Sequence, residues 1–506
     1  MISVQKLLVG LCTGLLLLGA CARNNNFATD GTLQPTPQSD TIKTDTLLSK
    51  ESSATYRFLL YNRNKQPIRI ERIKLLHGIS KGYRINVDGR SGEFFEQIPL
   101  QPGDSLFVLL EATYPQGESD LPTLVSDSLL IRCNGVSRYV TVLGYRQNAE
   151  RLQGVEVTSS LTLTAQRPYI VEDSIVVHPG AQLILEAGTR LLMRQGARMV
   201  VHGSLISNGT VDKRVQIEGL RTDHLIPSFP YFLVPGQWKE IFLSKQSFGN
   251  RLQYTTICNG TNGIICQELD HPLEQERLFV EACRITNMTG TAVELNGGTY
   301  QLLNSELSNT GSSTLLLRRG KLQAQQLSIV NLFAWERRTA PAFSYAYKEE
   351  SAATSPSESE GAEFVNCIID GSYALTLPKG FIGGGEVWLQ QPLASRCFFK
   401  GCYLRTSLPA LPFSGVINCV EAKALPKDVY RLTGIDYGNK KYHFYYDFRP
   451  LTNTPVTQMP QELQPLFVQD LSGALHTLPL HTAGALAPVD SLTSAPWWHP
   501  AAHSRP

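Results

Sequence analysis

The chain has 506 residues, 42% hydrophobic and 18% charged, with 40 glycines and 29 prolines. That length accommodates two to four domains with real cores, and the low charge with abundant turn formers favours sheets over long helices. With 46 basic against 44 acidic residues the net charge is only +2, and no basic run marks a nucleic-acid partner.

In chain order, Lys6 precedes an apolar stretch over residues 7–18, too short for a membrane span of roughly 20 residues and followed by small residues. This is the pattern of a secretory signal. The run Leu18-Gly19-Ala20-Cys21 resembles the bacterial lipobox, which implies that Cys21 carries a diacylglycerol and becomes the first mature residue. The expected membrane partner is then met through a lipid anchor. Residues 22–49 are rich in Asn, Thr, Pro and Gln, so a flexible tether is predicted there. Setting aside Cys12 and Cys21, the remaining eight cysteines form no Cys-x-x-Cys pair and have no His at ligand spacing, so neither metal nor cofactor is expected. The contexts of Cys367, Cys402 and Cys419 suit buried free thiols.

Residues 50–150 alternate apolar and polar positions in short runs, at 56–61, 68–76, 83–87, 105–112 and 128–132. Turn formers separate them at Asn62-Arg63-Asn64, Asp88-Gly89, Pro102-Gly103-Asp104 and Asn134-Gly135. This spacing predicts an all-β sandwich. The phrase around Pro102-Gly103-Asp104, flanked by apolar strands, resembles abnormal-spindle/hydin-like sandwiches and implies an immunoglobulin-like module.

The next segment, 155–430, contains a repeat. Windows ending at Asn259, Asn287, Asn309 and Asn331 carry Ile257, Ile285, Leu307 and Ile329 two residues earlier, and a further window keeps Ile369. The asparagines lie 28, 22 and 22 residues apart. A period near 22 is too short for a propeller blade and lacks leucine-rich spacing, so it predicts the coils of a parallel β-helix with a ladder of turn asparagines. Upstream, glycines at 180, 188, 196, 203 and 209 punctuate short apolar pieces that would form the first coils.

This passage, with Gln237-Trp238-Lys239-Glu240-Ile241, resembles right-handed β-helix lipoproteins of Bacteroidetes, as do Asp447-Phe448 and Asp470-Leu471-Ser472-Gly473 near the end. Thr454 and His476 depart from that family's closing stretch. The resemblance implies an immunoglobulin-like β-sandwich followed by a right-handed parallel β-helix, with residues 431–506 as a C-terminal cap and irregular tail.

Within the helix region, residues 332–361 interrupt the period and are predicted to loop out. Trp335, Arg337, Tyr345 and Tyr347 there combine aromatics with a cation, the mixture that stacks sugars or anchors a protein. Packing of the loop back onto the helix is the competing reading. Asp followed by Ser or Thr and an aliphatic residue recurs at Thr41, Thr46, Ser105, Ser128, Ser174 and Ser491, which resembles the O-glycosylation acceptor of exported Bacteroidetes proteins. Enzyme chemistry leaves few marks: Asp212, Asp223, Asp270 and Asp370 are scattered, and no nucleophile motif occurs. The expected function is non-catalytic recognition, adhesion or structure at the outer membrane, for carbohydrate or protein. The alternative is a polysaccharide lyase or glycoside hydrolase of β-helix fold.

Overall fold

The computed structural model of the chain describes residues 26–490 and 498, apart from 222, 227–228, 270–273, 348–358, 373–375, 437–440, 461–466 and 477–480. Cys21 and Ser491 lie outside the described residues. Strands dominate, and the chain divides into two compact units after Asn148.

In the first unit, two five-stranded sheets share one core. One sheet runs in the order Thr36–Pro37, Tyr56–Tyr61, Ser105–Ala112, Tyr83–Val87, Arg90–Gly92. The other runs Thr41–Leu48, Val136–Gln147, Thr123–Cys133, Ile68–Leu75, Phe94–Leu100. Alternation sends Phe58, Leu60, Val108 and Leu110 from the first sheet against Ile70, Ile73, Leu129 and Ile131 from the second. The predicted strands are therefore present, and two more, Thr36–Pro37 and Thr41–Leu48, lie inside the segment predicted as a tether. Thr41–Leu48 pairs in parallel with Val136–Gln147, burying Ile42, Leu47 and Leu48, and Ala28 N–H donates to Pro67 O at 2.8 Å. Composition misled because threonine is polar by count yet a good strand former, and few apolar residues suffice for an outer strand.

In the second unit, parallel strands stack into three ladders. The first holds Val155–Val157, Ser174–Val177, Arg198–Val201, Ile241–Leu243, Ile264–Cys266 and onward through Phe343–Tyr345 to Val387–Gln390. The second starts at Ser160–Leu163 and passes through Asn250–Gln253 and Gly361–Val365 to Val416–Ile417. The third is an 11-stranded sheet from Glu150–Leu152 to Val420–Glu421. The whole is solenoid-like, each coil contributing one strand to each ladder. The period-bearing residues stack in the third ladder as Ile217, Ile257, Ile285, Leu307, Ile329, Ile369 and Leu404, each fully buried. Phe364 lies between Phe343 at 4.7 Å and Phe399 at 5.2 Å in the same interior.

The corner between the second and third ladders repeats one backbone conformation. Tyr254, Ala282, Asn304, Gln326, Asn366 and Asn418 all have φ between 44° and 55°, and Gly401 supplies the same bend at 63°. Up to Gly401, each N–H donates to the carbonyl of the residue before the next corner, as Asn304 N–H does to Gln325 O. Strain in the left-handed region is thus paired with a hydrogen bond at these corners.

Two expectations change. The segment 332–361 is not wholly looped out, because Phe343–Tyr345 inserts between Leu315–Gln325 and Val387–Gln390 and completes a coil. Glu360 is buried and Gly361 starts the next strand, so the run ending there is structural at its last two residues. Secondly, the C-terminal stretch does not only cap the last coil. The antiparallel hairpin Tyr430–Asp436 and Lys441–Pro450 packs Tyr430 and Phe448 against Val330, Ile368 and Tyr403 on the outer face of the third ladder. The chain then returns along that flank, where Asn304 Nδ2 donates to Gln469 O and Arg214 Nη1 to Leu471 O. The reason is local: the outward residues Val330, Ile368 and Tyr403 of the later coils are apolar and need a cover.

Candidate functional site

The sequence-predicted patch does not form. Tyr345 is fully buried, stacked between Leu317 and Leu389, and Tyr347 is 4% exposed with its hydroxyl on Glu360 Oε2 at 3.1 Å. Trp335 is half-buried and Arg337 exposed. The alternation of Phe343 and Tyr345, read as a surface stripe, is the inward face of a strand. These two tyrosines are packing residues, and the four side chains do not make one surface.

Of the described Asp-Ser/Thr sites, Thr41, Ser105 and Ser174 begin strands, whereas Thr46 and Ser128 lie inside the strands Thr41–Leu48 and Thr123–Cys133. Thr46 is exposed, while Thr41, Ser105, Ser128 and Ser174 are half-buried. Asp104 Oδ1 accepts from Ser105 N–H at 2.7 Å, and Asp127 Oδ1 accepts from Ser128 N–H at the same distance. Asp127 also accepts from the N–H of Gly78, so its carboxylate organises a turn.

The feature with convergent polar chemistry lies elsewhere, on the outer face of the third ladder. Strands alternate, so residues flanking the buried Ile217, Ile257 and Ile285 point outward: Gln216 and Glu218, Thr256 and Cys258, Arg284 and Thr286. With Arg190 they floor a cleft of about 460 Å³. Phe232 and Leu233 form one wall, Tyr446 and Trp498 another, and Asp212, Lys213 and Arg214 close an end.

The asparagine row turns out to build a wall. Asn259 Nδ2 donates to Phe232 O at 2.8 Å and Asn287 Nδ2 to Leu233 O at 2.7 Å. Gln237 Nε2 donates to Tyr231 O and Val234 O, and the buried Trp238 donates Nε1–H to Cys258 O at 2.8 Å. The Gln-Trp pair and the turn asparagines thus clamp residues 231–234 beside the sheet. A continuous side-chain ladder is absent: Asn287 bonds Asn259 at 2.9 Å, whereas Asn331 Nδ2 turns to Thr310 O. Asn331, the last residue of Ser328–Asn331, stays out of the left-handed region that Asn259, Asn287 and Asn309 occupy at φ 68°, 61° and 51°, and its amide therefore points differently.

Charge in the floor is paired. Arg190 Nη2 meets Glu218 Oε1 at 3.1 Å, and the buried Arg284 Nε meets Glu306 Oε1 at 3.1 Å. The Trp498 ring lies 4.3 Å from the Arg284 guanidinium carbon, and its Nε1–H donates to Tyr446 O at 2.7 Å. Tyr445 stacks on Trp498 at 6.2 Å, and Phe232 meets Tyr445 edge-on at 6.5 Å. Burial, with Glu218 nearby, pushes the Cys258 thiol well above its usual range, so this sulfur is a packing atom and not a nucleophile. Arg190 Nε and Glu306 Oε2 are buried without a hydrogen-bond partner.

Glu218 and Glu306 do not form an acid–base pair. In register, Glu218 is followed by the levels of Cys258, Thr286 and Ser308, the last on the strand of Glu306. Three steps at about 4.8 Å separate them by about 14 Å or more, beyond the roughly 5–9.5 Å between glycosidase carboxylates. Among the described residues no group of His, Cys, Asp and Glu is placed to hold a metal ion, and no helix is long and apolar enough to cross a membrane. A larger hollow of about 810 Å³ on the first unit is edged by the exposed Leu76, Ile79 and Phe94, with Arg84 and Glu111 paired at 3.9 Å beside it.

No protein-family model matches the chain, and no curated protein matches it. Among solved structures, the chain is similar over a short stretch to a family 123 glycoside hydrolase from Clostridium perfringens that hydrolyses glycolipid glycans. The match has 8% identity and a TM-score of 0.16, covering 22% of this chain and 26% of that one, and it carries no argument about activity.

Proposed function

We propose that this protein is an exported lipoprotein, anchored through Cys21, whose solenoid serves as a non-catalytic recognition surface for carbohydrate. In this reading the first unit is an immunoglobulin-like module and the second a right-handed parallel β-helix, as the resemblance to Bacteroidetes lipoproteins implies, and the protein stands on the outer membrane. The observation that carries the recognition reading is the cleft over the third ladder. It sets amide, hydroxyl and guanidinium groups on a rigid floor beside aromatic walls, which matches the polar rims and apolar faces of sugar rings. Against hydrolysis stand the separation of Glu218 from Glu306 and the arginine held on each.

The test is a glycan-array screen of the full mature protein. Captured glycans that are lost on Phe232→Ala, and returned uncleaved, support recognition. A protein that binds no glycan, or that releases cleaved products, overturns it. Anchoring is tested separately by labelling cells with a radioactive fatty acid: Cys21→Ala should lose the label, and a labelled mutant would refute the anchor.

A further inference from the structure

The charges of the cleft are unevenly distributed. Its lining carries Arg190, Lys213, Arg214 and Arg284 against Asp212 and Glu218. Arg284 is neutralised by Glu306 beneath the floor and covered by Trp498, so it belongs to the scaffold. Arg190, Lys213 and Arg214 are the other cations of the lining. Arg190 is about a third exposed, and its Nη2 holds Glu218. Lys213 is exposed, and Thr210 Oγ1 accepts from its backbone N–H at 3.1 Å. Arg214 donates to Ala282 O and Leu471 O, and burial lowers its guanidinium to about 10, with the charge of Arg284 adding to the effect. These three cations stand against the two carboxylates Asp212 and Glu218.

We propose that the cleft binds an anionic sugar, with its acid group between Arg190 and Lys213 and its ring toward Phe232 and Trp498. This deepens the recognition reading and rests on it. A planar acid group suits the exposed edge of a guanidinium, which gives directed, charge-assisted bonds, and Lys213 adds a mobile point charge. A neutral glycan would leave the excess of lining cations over carboxylates uncompensated. The acid group is a carboxylate, as in uronates, or a sulfate ester, and the two share the same requirement for cations.

The experiment titrates the full mature protein with three probes by calorimetry: hexagalacturonate for carboxylate, a heparin hexasaccharide for sulfate, and neutral cellohexaose. An anionic probe should bind in preference to the neutral one and weaken as salt rises from about 0.05 M to about 0.5 M, because screening shortens the reach of the cations. Lys213→Glu, an exposed change outside the core, should weaken that probe by about tenfold through lost attraction and added repulsion. Whichever anionic probe binds identifies the acid group. Equal binding of the neutral probe, or indifference to salt and to Lys213→Glu, overturns the anionic assignment while leaving glycan recognition standing. Failure of both anionic probes also overturns it, and the array then decides the broader reading by itself.

Discussion

Replacing Asn287 separates backbone strain from side-chain bonding at the wall of the cleft. The residue sits at φ 61°, donates to Leu233 O at 2.7 Å and reaches Asn259 Oδ1 at 2.9 Å. Asn287→Ala removes both bonds, at about 1 kcal/mol each, and places a Cβ residue without local hydrogen bonding in the left-handed region, for about 1 kcal/mol more. The expected loss is about 3 kcal/mol. Asn287→Gly loses the same bonds but relieves the backbone, so about 2 kcal/mol is expected. At Asn331, in the regular strand Ser328–Asn331, the order reverses and glycine should be the worse substitution. Guanidinium denaturation followed by the fluorescence of Trp238, buried near the clamp, reads all four variants. Equal midpoints for Asn287→Ala and Asn287→Gly, or the same order at both sites, would refute the strain argument.

Three further outcomes follow from buried groups. Glu386 is fully buried and accepts from Arg338 Nη1 and Nη2 and from Ala342 N–H, so Glu386→Ala strands a buried cation and should cost about 3–5 kcal/mol in a thermal melt; a loss below about 1 kcal/mol contradicts it. Burial holds the His476 imidazole below its usual 6.5, opposed by Asp470, so the unfolded chain binds more protons between the two values. The stability from His476 is therefore present above pH 6.5 and lost as pH falls through the folded value, and the melting temperature of the wild type should drop more steeply than that of His476→Gln between about pH 7.5 and about pH 5. Parallel curves would dismiss that contribution. Finally, burial pushes the Cys133, Cys266 and Cys283 thiols up to about 11, and their reaction with a thiol reagent at neutral pH should wait for denaturant. Labelling within minutes in the native protein would show that the first unit opens, for Cys133, or that the coils do, for Cys266 and Cys283.

Much of the architecture was legible because stacking repeats one chemical requirement on every coil. An inward Ile or Leu at the same level recurs at 257, 285, 307, 329 and 369, and asparagine recurs where a left-handed bend is needed. The corner at Tyr254, Ala282 and Gln326 was not legible, since its conformation is imposed by the neighbouring coil on residues with no preference for it. Composition also failed at Thr41–Leu48, where partnership with Val136–Gln147 turns a polar segment into a strand.

The sequence by itself determined the period, the all-β character and the sign of each stacked position, because these depend on side-chain alternation along one strand. Only the tertiary structure decided which of its aromatics are interior and which line a cleft. Tyr345 and Trp498 are both aromatic residues outside the windows of the sequence repeat, yet one fills a coil and the other covers Arg284. The cleft joins Arg190, Phe232, Arg284 and Trp498, which lie far apart along the chain and meet only when coils stack and the C-terminal stretch folds back over them. No local pattern encodes that meeting, since it arises from the burial of the apolar Val330, Ile368 and Tyr403 on later coils under the returning segment.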